Sequence, residues 1–173
     1  MYRLTGFLSA LVLTFAAAPA ANADTITDLA VATDDLSTLT ELVVAADLAD
    51  TLASEGPFTV FAPVNDAFSA LPSRAVDIIV SNPDILETVL LYHVVADDLK
   101  AAEVLAERRI ETVQGESVRV RTFGERAFLD RSEIIATDID ADNGTVHLIN
   151  RVLLPREARI AIIREYIRQF RAH

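Results

Sequence analysis

The sequence predicts an α+β fold, with several short helices packed on an antiparallel sheet, and two observations predict it. In the first half, apolar residues recur at helical spacing between proline and glycine breaks. The second half switches to β-branched runs separated by turn chemistry at Gly115, Gly124 and Asp142-Asn143-Gly144. Helices first and a meander of strands second is the order of an α+β domain. A third observation sets the scale. Of 173 residues, 150 follow a 23-residue leader, which suits one domain. There is no cysteine, so an exported domain of this kind has to hold together by packing.

Residues 1–23 read as a cleavable signal peptide. Arg3 gives the positive start, residues 4–18 carry no charge, and Pro19 ends the run. Ala21-Asn22-Ala23 then has the small-x-small pattern of a signal peptidase site. The run is shorter than the roughly 20 residues that span a bilayer, and no other stretch is long and apolar enough to cross one. Cleavage before Asp24 is expected, with no lipid attached because no cysteine follows, and a secreted or periplasmic product.

Past the leader, Asp34-Asp35 offers a cap to a helix whose face is Leu36, Leu39, Leu42, Val43 and Ala46, continued by Leu48 and Leu52. Glu55-Gly56-Pro57 stops it. Phe58-Thr59-Val60-Phe61 reads as a short strand, Asn65-Asp66-Ala67-Phe68 as a single helical turn, and residues 73–80 as a helix. Asn82-Pro83-Asp84 starts another helix, with proline at its first position and an acid at its positive end. Leu86, Val89, Leu90 and His93 share its buried face. A short helix is expected over 98–107, then strands over 110–113, 117–122, 127–129, 133–139 and 145–154.

Charge narrows the partners. Only Arg3 lies in the leader, so the chain from Asp24 carries 14 basic and 26 acidic residues, a net of −12. Such a surface repels nucleic acid, which is bound through clustered lysine and arginine, and the sole lysine is Lys100. The sign reverses over 156–173, where five arginines stand against Glu157 and Glu165 and leave −15 on residues 24–155.

Two long segments together resemble a fasciclin-like domain. One is Gly56-Pro57-Phe58-Thr59-Val60-Phe61-Ala62-Pro63-Val64-Asn65-Asp66-Ala67-Phe68, followed by Leu71-Pro72. The other is Asn143-Gly144-Thr145-Val146-His147-Leu148-Ile149-Asn150-Arg151-Val152-Leu153-Leu154-Pro155. Between them, Leu91-Tyr92-His93-Val94-Val95 is similar to the family's Tyr-His segment. Val64 departs from the family's usual threonine and Asn150 from its frequent aspartate, which touches local hydrogen bonding and not the fold. The likeness is to exported single-domain bacterial members and places the domain at 24–155. It implies a β-wedge with helices packed along it, used for adhesion and protein–protein contact. Phe58, Phe61, Pro63, Asn65, Asp66, Phe68, Asn143, Gly144 and His147 are then the structural residues of its motifs.

The resemblance also offers two recognition sites. Tyr92 and His93 match a pair associated with cell adhesion in related domains. The competing reading makes His93, on the apolar face of a helix end, a hydrogen-bonded core residue that ties helix to sheet. Asp138-Ile139 stands in register with part of an integrin-recognition motif of human matrix members. Its competitor is a strand end running into a type I′ turn, with the acids solvated. Asp138, Asp140 and Asp142 alternate as calcium ligands do. An EF-hand loop, however, needs glycine sixth and glutamate twelfth, where Asn143 and Ile149 fall, so no metal is expected. Asn143-Gly144-Thr145 matches a glycosylation acceptor but is better read as a hairpin turn.

No catalytic constellation emerges. There is no Gly-x-Ser-x-Gly or His-Glu-x-x-His segment, no cysteine nucleophile, and only three histidines. The tail, 156–173, reads as an amphipathic basic helix with Ile160, Ile163, Tyr166, Ile167 and Phe170 on one face and arginines mostly off it. That stripe is expected to pack on its own domain, with docking to another subunit, a partner or a membrane as the alternative. The sequence thus describes an exported, non-catalytic adhesion or protein–protein interaction module without a cofactor. A protein or extracellular-matrix partner at a cell surface is expected. The alternative is a periplasmic small-ligand-binding or carrier protein with a pocket in the wedge.

Overall fold

The computed structural model describes residues 24–171, and the leader expected at 1–23 lies outside them. The first helix, α1 (Ile26–Ala32), was not expected from its short pattern. Thr25 opens it with a capping box, its backbone N–H donating to the Asp28 carboxylate at 3.0 Å and its hydroxyl accepting from the Asp28 N–H. The single long helix expected next is broken into a 3₁₀ turn (Asp34–Leu36), α2 (Ser37–Ala45) and α3 (Ala49–Ala53). The break falls at Asp47, which takes the left-handed φ of 57° that ends many helices.

Strand β1 (Phe58–Pro63) leads to α4 (Asn65–Ser69), α5 (Ser73–Ser81) and α6 (Pro83–Leu91). Pro83 occupies the first turn of α6 as expected, but Asn82 turns backward and donates to Ile78 O at 2.6 Å, closing α5. After β2 (Val94–Val95) come α7 (Ala101–Ala106), β3 (Arg109–Glu111), β4 (Ser117–Phe123), β5 (Arg126–Leu129), β6 (Ser132–Ala141) and β7 (Gly144–Ile149). The strand expected over 145–154 therefore ends at Ile149. A final helix, α8 (Arg156–Arg171), follows the buried Pro155.

The α+β class stands, and the sheet is mixed. Its order is β2-β1-β7-β6-β5-β4-β3, antiparallel throughout except for β1 and β7, which run parallel from Phe58 beside Gly144 to Pro63 beside Ile149. Both edges nearly meet, because Val113, just past β3, donates to Val94 O of β2 at 2.8 Å. The sheet is a nearly closed wedge. Alternation along β1 feeds two cores. Phe61 points into the wedge with Tyr92, Val104, Val118, Leu129 and Ile149. Val60 and Ala62 point outward and are covered by α1–α3 and α6 through Leu36, Leu39, Val43, Leu52 and Leu90.

Candidate functional site

Tyr92 and His93 are buried where α6 meets β2. His93 is 2% exposed. Its Nδ1 lies 2.7 Å from Val89 O and its Nε2 2.9 Å from the Leu153 backbone N–H. Because Leu153 N can only donate, Nε2 is the acceptor and the proton sits on Nδ1. Burial pushes the pKa of His93 down to about 4. Tyr92 sends its hydroxyl to Asp130 Oδ2 at 3.0 Å, and burial together with the Asp130 charge raises its pKa. Both side chains tie the helical layer to the sheet and offer a partner almost no surface.

Asp138 and Ile139 lie in a bulge of β6, where the register to β7 shifts between Ala136 and Ile139. Asp138 has a φ of 57°, unusual for any residue but glycine, and its N–H leaves the ladder to donate to His147 Nδ1 at 3.2 Å. His147 is fully buried, stacks on Phe61 with ring centroids 5.6 Å apart, and donates from Nε2 to Leu99 O at 2.8 Å. Burial lowers its pKa as well. The exposed Asp138 carboxylate accepts from Ala101 N at 2.7 Å at the start of α7, while Ile139 is half-buried against the outer core. The sole lysine stands beside it. Lys100 Nζ bonds Asp140 Oδ1 and Thr145 Oγ1, with Asp98 at 3.7 Å, and the Asp140 bond holds its pKa above the ordinary lysine range. This acidic corner is tied up in internal hydrogen bonds. Among the described residues no group of His, Cys, Asp or Glu is placed to hold a metal ion.

The motif residues cluster where the chain crosses itself. Asn143 donates to Leu52 O at 2.7 Å and Ser54 O at 2.9 Å and accepts from Ile26 N at 2.9 Å, clamping α1 and α3 to the β6–β7 turn. A Cβ on Gly144 would meet Phe58 O at 1.8 Å, so only glycine fits there. Asn65 caps α2 across the fold, its Oδ1 accepting from Thr38 N at 3.0 Å and its Nδ2 donating to Asp34 O at 2.9 Å. This is the cap that Asp34-Asp35 was expected to supply. Pro63 is fully buried, Phe58 and Phe68 are half-buried against the outer core, and Asp66 is exposed.

Among the described residues two apolar surfaces stand out, and the sequence pointed to only one. An apolar recess of about 80 Å³ lies between α1–α3 and the outer face of β1 and β7. Its rim carries Val31, 67% exposed, and Val44, 63% exposed, with Val113 beside them. The readable signal was charge, since residues 24–73 hold nine acids and no basic residue. The other surface is the outward side of α8. This helix packs on α5 and α6 through Ala158 and Ile162, and Glu116 accepts from Arg156 N at 3.1 Å and Glu157 N at 3.2 Å at its start. The isoleucines of the expected stripe therefore do not pack on the domain: Ile160, Ile163 and Ile167 face away, Ile163 being 57% exposed, while the Phe170 side chain lies outside those described. Small side chains at Ala158 and Ala161 let the opposite side approach the body more closely. Tyr166 leaves the stripe to sit under Arg74, 5.2 Å from guanidinium to ring centroid.

A nearly closed mixed sheet with helices along its outer face is the architecture of a FAS1 domain. The FAS1 domain pair of the insect cell adhesion molecule Fasciclin I shares it, with a TM-score of 0.57 at 20% identity over 70% of this chain and 46% of that one. Residues 34–155 match the Fasciclin domain, and the chain belongs to that family. Protein sll1483 of Synechocystis is 39% identical over 136 residues, which are 78% of this chain and 75% of that protein. Immunogenic protein MPB70 of Mycobacterium bovis is 40% identical over 108 residues, 62% of this chain and 54% of MPB70. Human periostin is 29% identical over 139 residues, 80% of this chain but 17% of periostin.

Proposed function

We propose that this chain is an exported interaction module, not an enzyme, that acts by recognising a protein at its surface, in the periplasm or outside the cell. The observation that carries the reading is the outward stripe of α8, where Ile160, Ile163 and Ile167 stand exposed on a helix whose other side is packed. An uncovered apolar row edged by charge is the surface expected of a recognition site. Membership of the fasciclin family supports it, as does the shared fold of a cell adhesion molecule. The burial of Tyr92, His93 and half of Ile139 supports a scaffold role for them, with Asp138 shaping the acidic corner. A specific small-ligand carrier has less support. The recess exposes almost no polar atom, and such sites orient their ligands with a few convergent polar groups.

The test is capture of envelope proteins on immobilised protein, with Ile163→Asp as the matched control. A defined protein retained by the wild type and lost with the variant is the expected result. An identical set on both surfaces would remove the stripe as the recognition site.

A further inference from the structure

The two uncovered apolar surfaces are opposite in charge, and we propose that they bind one another between molecules: the outward face of α8 in one copy docks into the recess beneath α1–α3 of the next. This rests on the reading of the stripe as a recognition surface and names a second copy of the chain as its occupant. On α8, Arg156 and Arg164 lie four residues either side of Ile160, and Arg171 lies four beyond Ile167, so cations share the outward face with the isoleucines. On the recess side the charge is reversed. Asp28 and Glu41 each lie three residues before the exposed rim valines Val31 and Val44. Asp34, Asp35, Asp47 and Asp50 are exposed on the same helical layer. The helical layer itself carries no cation, because residues 24–73 contain none.

Competing occupants fit less well. Two α8 helices laid stripe to stripe would set arginine against arginine, and like charges facing across an interface oppose its formation. The molecule's own recess is no rival, because α8 is already held by its opposite side on α5 and α6. An anionic membrane attracts the stripe but repels the rest of the chain, which carries −15 over residues 24–155. Another copy presents the stripe with acids and an apolar recess together. Stripe and recess are different patches, so the contact is head-to-tail, and an open assembly retains one free stripe at one end and one free recess at the other until a ring closes.

Sedimentation velocity on the purified protein, over a concentration series at low and high salt, tests this with two exposed variants, Ile163→Asp and Val44→Arg. The wild type is expected to self-associate, more weakly as salt rises. Each variant alone should associate at least about tenfold more weakly. Their equimolar mixture should form a heterodimer and stop there, since Ile163→Asp keeps its recess and Val44→Arg keeps its stripe. Circular dichroism melts like the wild type's establish that both fold, and Ile167→Asp with Val31→Arg repeats the experiment at neighbouring positions. A wild type that stays monomeric while still capturing a foreign partner overturns this inference and leaves the broader reading standing. Self-association that survives Val44→Arg but not Ile163→Asp means symmetric α8 pairing and also overturns it. So does a monomer that floats with phosphatidylglycerol vesicles.

Discussion

Both ring nitrogens of His93 are engaged by backbone groups, one donating to Val89 O and one accepting from Leu153 N, and burial holds the ring neutral. Its pKa of about 4 in the folded chain lies below the ordinary 6.5. Between those values the unfolded chain takes up a proton that the folded one refuses. The contribution is complete above 6.5 and is lost as pH falls toward 4, up to about 3 kcal/mol. His147, also lowered by burial, acts in the same direction. We expect the urea midpoint to fall between pH 7 and pH 4.5. His93→Gln should be less stable than wild type at pH 7 and show a flatter profile over that interval, whereas a parallel profile would mean that other groups set the pH dependence. That His93 suits the core was readable from its place on an apolar helix face. The left-handed Asp138 was not, because a bulge depends on the strand opposite, here on His147 supplying a ring nitrogen in place of a ladder carbonyl.

Elements were legible where punctuation is local. Pro83 marks the start of α6, and Asn143-Gly144 turns β6 into β7. The divide between α2 and α3 was hidden, since Leu48 and Leu52 continue the apolar spacing past a break made by the backbone of Asp47. For α8 the stripe was visible and its direction was not. Periodicity reports that two sides differ, while the choice of packed side follows from how closely Ala158 and Ile162 fit α5 and α6. Every strand lies before α8. A chain shortened to Pro155 is therefore expected to fold, with a loss of about 2 kcal/mol from uncovering the apolar surface that Ala158 and Ile162 protect. Urea denaturation measures this, and a shortened chain without a cooperative transition would make α8 part of the domain itself.

At the scale of the molecule, the α+β class follows from the order of periods along the chain, and the parallel β1–β7 pairing does not. It joins segments on either side of most of the domain, and no local pattern encodes which distant strand becomes a neighbour. The charge balance was readable in full. Intact mass of the released protein is expected to match a chain beginning at Asp24, and a mass that includes Met1 would count against export by cleavage. The pairing of β1 with β7 has a further consequence, one of timing. As the polypeptide is made, Phe58–Pro63 emerges early and waits for Gly144–Ile149, without which Val60 and Ala62 lack half of their sheet. Contacts so distant in sequence form slowly. The wedge cannot lock before nearly all of the chain exists, an interval that would keep the polypeptide open during the export proposed above.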